Sequence, residues 1–364
     1  MSGDATPAGG VLEHLRGYWA EARTALPFSR PAYTWNDADD IRYAHQDERF
    51  SGVVHVFHVQ WFGIRAAAGS LPGNKLAIDA HRKLSASEVR AIMERLCGTG
   101  SFSRYVFHGM SGNAAALIRA LSAAGLAERS FIVHHGSVAQ WTYGPERTLA
   151  FQAIELARAR QVRRLHVMKR DHALLGDRSF TPLLLNMSPV LDSSATQSRP
   201  RRSAVFVPGT EGWIKNLHCN ALGAAILPAV EEVLHYSPDL KLPEPWHARL
   251  KHVPFVDRSG TFQIMAESLA TLNVSLTECY PMVALESEAV GTPCLRNRLF
   301  LDALEDHPYV RAVEVEDPTS PFSIRDVLAR LLDMPEGERS EVTRDYLRAI
   351  NERCISRYLE FLEL

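Results

Sequence analysis

The most chemically pointed stretch of the 364-residue chain is T-E-C-Y-P-M-V-A-L-E-S-E-A-V-G-T-P, residues 277–293, in which Glu278 and Glu286 stand with seven residues between them. The apolar run 272–276 predicts a strand that delivers Glu278 to a tight turn. A helix is expected over 281–290, with Pro281 at its first position, where the missing proline N–H would be unpaired anyway. Gly291 is the expected stop. A helix that starts at the carboxyl end of a parallel strand presents unpaired N–H groups and a partial positive charge, which suits a phosphate. Two carboxylates bracketing that place cannot favour phosphate by charge. Their chemistry is to accept hydrogen bonds from hydroxyls, as on a sugar and a ribose.

A lysine and three histidines join them. Lys215 lies in V-F-V-P-G-T-E-G-W-I-K-N, residues 205–216, just after an expected strand at 204–207. A cation at a helix start opposes the helix dipole, so the position favours a lysine with an anion to bind. His135 ends the strand expected at 131–135, and a neutral imidazole there can hydrogen-bond a ligand hydroxyl. Neighbouring strand residues point to opposite sides, so His134 faces away from the side His135 serves. His108 ends the neighbouring strand, 104–108, where it can line the same cleft.

The elements that must position these residues alternate as an α/β protein does. Strands are expected at 53–59, 104–108, 131–135, 165–168 and 182–185, with helices at 85–96 (Ser85 and Glu88 forming a capping box) and 113–123. After a Ser/Pro-rich basic stretch at 188–203, which reads as a linker, the pattern restarts. Strands are expected at 204–207, 253–256, 272–276, 293–295 and 312–315, with helices at 214–234, 262–269, 281–290 and 324–332. Strands spaced by helices imply parallel sheets. The organisation expected is an N-terminal unit over 1–190, a C-terminal unit over 204–340, a cleft between them for the ligand, and a closing helix over 344–364.

Composition narrows the function classes. With 40 Lys+Arg against 42 Asp+Glu the net charge is −2, so no basic excess exists to bind nucleic acid. No apolar run reaches the roughly 20 residues of a membrane span. The first residues lack a signal-peptide pattern. Five scattered cysteines without a C-x-x-C read as reduced thiols, and a cytoplasmic location is expected.

Glu278 and Glu286 in E-C-Y-P-M-V-A-L-E, followed by A-V-G-T-P, resemble the E-x7-E motif of retaining GT-B glycosyltransferases, most closely the large family four of nucleotide-sugar-dependent enzymes. The resemblance implies two Rossmann-like domains facing a central cleft. It implies Glu278 at the donor sugar, Glu286 at the nucleotide ribose, and the backbone of Tyr280, Pro281, Met282 and Val283 at the diphosphate. Residues 205–216 resemble the family's strand-loop V-G-R-x-x-x-x-K, with Gly209 and Lys215 in place and Thr210 where the family has the arginine that clamps the diphosphate. His135 takes the position of the family's histidine near the anomeric centre. Arg65 and Arg296 are the substitutes considered for the missing arginine, and Gly63 with Arg65 stand nearest to the family's absent Gly-Gly loop. The resemblance further implies a nucleotide-sugar donor, an unidentified acceptor, no metal, and a last helix that crosses back onto the N-terminal domain.

Two other classes fit the same residues: a catalytically silent GT-B partner subunit, and a sugar-nucleotide epimerase of that fold. Asp37 and Asp39 form a D-x-D in a polar loop, where the metal-binding version follows a strand. His55 and His58 fall on opposite faces of one strand and do not share a metal.

Overall fold

The computed structural model describes residues 32–98, 102–167, 178–191, 202–209, 212–301 and 304–364. Thr210, Met168 and 192–201, most of the expected linker, lie outside these. Two six-stranded sheets carry the molecule.

The first sheet contains β1 (Tyr33–Trp35), β2 (Val53–His58), β3 (Asn74–Ile78), β4 (Arg104–His108), β5 (Ser130–His134) and β6 (Arg164–Val167), in the order β1-β3-β2-β4-β5-β6. All its pairings are parallel except β1 with β3. Its connections form α1 (Ala38–Ile41), α2 (Phe62–Ser70), α3 (Ala86–Cys97), α4 (Gly112–Ala123) and α5 (Gly144–Arg158). The capping box forms as the sequence predicts: Ser85 Oγ accepts from the Glu88 N–H, and the Glu88 carboxylate accepts from the Ser85 N–H.

The second sheet is wholly parallel and runs β12-β11-β10-β7-β8-β9. Its strands are β7 (Ala204–Val207), β8 (Glu232–His235), β9 (Leu250–His252), β10 (Ala270–Asn273), β11 (Cys294–Asn297) and β12 (Glu314–Val315), and its helices α6 (Leu217–Ala225), α7 (Arg258–Glu267), α8 (Met282–Ala289), α9 (Pro308–Val313) and α10 (Pro321–Asp333). A 27-residue helix, α11 (Glu336–Leu362), ends the chain.

Several expectations are corrected. The helix expected at 214–234 stops at Ala225, and β8 takes its last residues. Pro228 cannot continue a helix, and the Val233–Leu234 pair is wanted in the sheet interior. Residues 182–185 form no strand, although Leu183, Leu184 and Leu185 are buried. Burial explains their apolar character without a ladder. The strand at 253–256 falls instead at Leu250–His252, because Pro254 removes a donor there. Pro281 is the N-cap of α8, not its first turn. Residues 312 and 313 of the strand expected at 312–315 belong to the helix Pro308–Val313, which leaves a two-residue strand.

The long last helix touches both halves. Near its start, Tyr346 packs on Tyr309 and Arg296 of the second half. At its end, Arg104 donates to the Leu362 carbonyl at 2.6 Å, Arg163 and Arg164 hold Glu363, and Phe361 packs on Phe131 of β5. Leu185 accepts from the Cys354 thiol.

Candidate active site

Alternation along a strand and the register between strands decide which histidines meet. His55 pairs with Val106 across β2 and β4, so it shares a face with His108; His108 pairs with Val133 across β4 and β5, so it shares a face with His135 just beyond β5. The side chains follow that logic. His55 Nδ1 lies 2.9 Å from His108 Nε2, and His108 Nδ1 lies 3.0 Å from His135 Nε2. His58, on the opposite face, bonds Ser111 Oγ at 2.7 Å. His134 is buried, with its ring against Gly136: a Cβ there would stand 2.8 Å from His134 Nε2. Burial, with Lys75 and the neighbouring imidazoles adding repulsion, holds His55 and His108 well below the usual imidazole range. His135 is pushed down to about 3 by burial first and by His134 second.

Across from this group is the turn between β10 and α8. Glu278 is held there by Lys215 Nζ, and Ser275 Oγ donates to the same carboxylate oxygen at 3.2 Å. Asn220 receives the Val274 N–H on its side-chain oxygen, which fixes the chain as it leaves β10. The strand thus ends where α6 supports it, and Lys215, at the close of the β7–α6 loop, reaches the turn. Gly209 stands in the same loop, with ordinary van der Waals space around a Cβ added there. Lys215 and Glu278, drawn to a ligand's two ends by the sequence reading, are thus brought to one point.

Glu286, about one turn into α8, is buried and accepts from Arg258 Nε at 2.8 Å. Burial raises its carboxyl above the usual range, and Arg258 opposes that rise. Arg258 also lies over the Tyr43 ring at 4.6 Å. Helix α8 has no side-chain cap at its start, and the Ala284 N–H turns back to the Pro281 carbonyl. The Tyr280 side chain turns inward, its hydroxyl 2.8 Å from that of Tyr346, while its carbonyl accepts from Asn186 at 2.7 Å. Pro281 and Met282 are buried and Val283 is partly so.

The two halves meet where these groups converge: Ser137 Oγ and Thr277 Oγ1 are 3.0 Å apart, two residues from His135 and one from Glu278. A cavity of about 340 Å3 lined by Gly212, Trp213, Asn216, Leu217 and His218 opens from the loop that carries Lys215. The expected substitutes for the absent arginine are otherwise engaged. Arg65 is paired with buried Asp40, and Arg296 is fully buried between Glu288 and the Tyr346 hydroxyl. Gly63 lies in the first turn of α2 and faces open space. Asp37 caps α1 by accepting from the Asp39 N–H. Sequence reasoning missed Arg258, His55, Lys75 and the Ser137–Thr277 contact. Only His55 left a signal, as a histidine inside a β-branched run.

No protein-family model matches the chain, and no curated protein matches it. Solved structures do. An α,α-trehalose-phosphate synthase (UDP-forming) from Burkholderia vietnamiensis is 10 % identical with a TM-score of 0.55, over 86 % of this chain and 100 % of that one. The Burkholderia xenovorans synthase in complex with glucose-6-phosphate is 12 % identical with a TM-score of 0.53, over 85 % and 99 %. The E. coli structure described as trehalose-6-phosphate bound with UDP-2-fluoro glucose is 10 % identical with a TM-score of 0.51, over 100 % and 98 %. At such identities the likeness is one of fold. The fold is the GT-B arrangement of two parallel-sheet domains, shared along the whole length of these synthases.

Proposed function

We propose that the protein is a retaining, nucleotide-sugar-dependent glycosyltransferase whose donor binds between the two sheets. One observation carries the reading: the E-x7-E segment folds as strand, turn and uncapped helix, and its first glutamate meets Lys215 at the point where the halves touch. A nucleoside diphosphate sugar fits that arrangement in parts. Glu286, held by Arg258, accepts the ribose hydroxyls. The N–H groups of Tyr280, Met282 and Val283 and the Lys215 ammonium receive the diphosphate, Pro281 having no N–H to give. Glu278 and His135 contact the sugar. In this reading Lys215 leaves Glu278 for the diphosphate when donor binds.

Transfer then needs positioning more than a protein base. The bond from the anomeric carbon to the diphosphate oxygen breaks, the acceptor hydroxyl bonds to that carbon from the same face, and the departing diphosphate takes the acceptor's proton. Lys215 and the α8 N–H groups stabilise the charge that grows on the diphosphate. No metal is assigned a part. UDP-glucose is the first donor to test and a sugar phosphate the first acceptor, because proteins of this fold are described with UDP-2-fluoro glucose and with glucose-6-phosphate. Among the described residues no helix is long and apolar enough to cross a membrane. We place the protein in the cytoplasm, on the strength of five cysteines that pair with no other cysteine.

The test is a calorimetric titration with UDP-, GDP-, ADP- and dTDP-sugars, followed by assay of the tightest binder for nucleoside diphosphate release. Binding of one donor with release of its diphosphate supports the reading. A second reading, a catalytically silent GT-B partner subunit, is favoured by the engagement of Arg65 and Arg296 with internal carboxylates. Donor binding without any turnover would select it.

A further inference from the structure

A row of three imidazoles can carry hydrogen bonds in either direction, and something must choose. His55 Nε2 lies 2.9 Å from the Pro72 carbonyl oxygen. A carbonyl only accepts, so His55 carries its proton on Nε2. A neutral imidazole has one N–H, so His55 Nδ1 is an acceptor, and His108 must donate to it from Nε2. His108 Nδ1 is then an acceptor in turn, and His135 donates to it from Nε2. His135 Nδ1 is left with a lone pair, and no described residue bonds it.

We propose that His55, His108 and His135 form one polarised relay, fixed by the Pro72 carbonyl, which sets His135 as an obligate hydrogen-bond acceptor for a carbohydrate hydroxyl. That the hydroxyl belongs to the donor sugar rests on the glycosyltransferase reading; the polarity does not.

The surroundings keep the relay neutral. His55 and His108 are fully buried. Lys75 reaches in from β3, its Nζ donating to the Leu71 and Gly73 carbonyls at 2.6 and 3.2 Å; burial pushes its ammonium down to about 7, and below that pH its charge repels a second one on either ring. Tyr358 of α11 meets His55 edge-on, with ring centroids 6.4 Å apart, and His134 stands beside His135. None of these groups is a carboxylate that would favour imidazolium. His135 therefore accepts and does not deliver a proton. His55 and His108 act as positioning residues, two rings and one ring away from the ligand.

The experiment is a two-bond 1H–15N correlation spectrum of the full-length 15N-labelled protein, which reads the tautomer and charge of each ring directly. The relay predicts Nε2–H tautomers for all three rings, neutral from pH 8 to pH 5. It also predicts that H55L flips His135 to the Nδ1–H tautomer: His108 Nε2–H loses its acceptor, so His108 turns to donate from Nδ1 and forces the reversal onward. A purely structural role for His55 gives no such change two rings away. If H55L does not fold, H55M serves. Its thioether fills more of the ring's volume and offers His108 no strong acceptor. An Nδ1–H tautomer or an imidazolium on His135 in the wild-type protein overturns the proposal, and so does a His135 tautomer unmoved in the folded variant. These spectra are read without any transfer assay, so an inactive protein with the predicted tautomers counts against the glycosyltransferase reading alone.

Discussion

Glu286, which we propose for the ribose, also serves the fold. Its carboxylate is buried and bonded to Arg258, so it is charge-paired before any ligand binds. E286Q keeps the shape and weakens each bond to the carboxylate. Nucleoside diphosphate affinity is expected to fall by about 1.5–3 kcal/mol, the scale of hydrogen bonds to charged groups. Calorimetry with the free diphosphate measures it, and unchanged affinity would remove Glu286 from the ribose site. The buried histidines make a separate statement about pH. Their folded-state pKa values are depressed, so the fold gains from them above the unfolded value of about 6.5 and loses as pH falls below it. The loss is about 1.4 kcal/mol per pH unit for each ring that stays neutral in the fold, and for His135 it continues towards pH 3. Urea midpoints at pH 7.5 and 5.5 test this; equal stability at both would show that these rings are protonated in the folded protein.

Among the elements, those with strong local signals were legible. The capping box at Ser85, the β-branched core of β2 and the stop at Gly291 (φ +79°) all stand where the residues put them. The β8 strand was not legible, since E-V-L-H has too few residues to reveal a period and the preceding apolar run reads equally as helix. Nor was the histidine row. Strand alternation places His55 and His108 each on a face, but only the pairing of β2, β4 and β5 puts them side by side. Arg296 gives the converse lesson. By type and position it fitted a diphosphate clamp, whereas β11 buries it against Glu288 and Tyr346. R296M should therefore cost about 3–5 kcal/mol, the penalty for a buried carboxylate left without its partner. Nucleotide affinity of the folded fraction should stay intact. A stable variant that has lost nucleotide binding would return Arg296 to the ligand.

For the whole molecule, α11 is the strut. Tyr346 docks in the second half, while Tyr358, Phe361 and Leu362 are buried against the first, and the Ser137–Thr277 contact closes the gap between them. Each buried side chain of this size contributes about 1.5–3 kcal/mol, so losing these four removes most of a typical margin of 5–15 kcal/mol. Ending the chain before Arg344 should yield insoluble or unfolded protein, read from soluble yield and a thermal melt; a cooperative melt at the full-length temperature would show the helix to be dispensable. Glycosyl transfer is the central claim, and the release of nucleoside diphosphate from UDP-, GDP-, ADP- and dTDP-sugars, with glucose 6-phosphate present as acceptor, tests it most directly when wild type and K215A are compared. Release from one of the four donors is expected, reduced by about 100-fold in K215A (about 2.7 kcal/mol on the barrier) at an unchanged melting temperature. No release from any donor, or K215A within about threefold of wild type, roughly 0.65 kcal/mol, would contradict it.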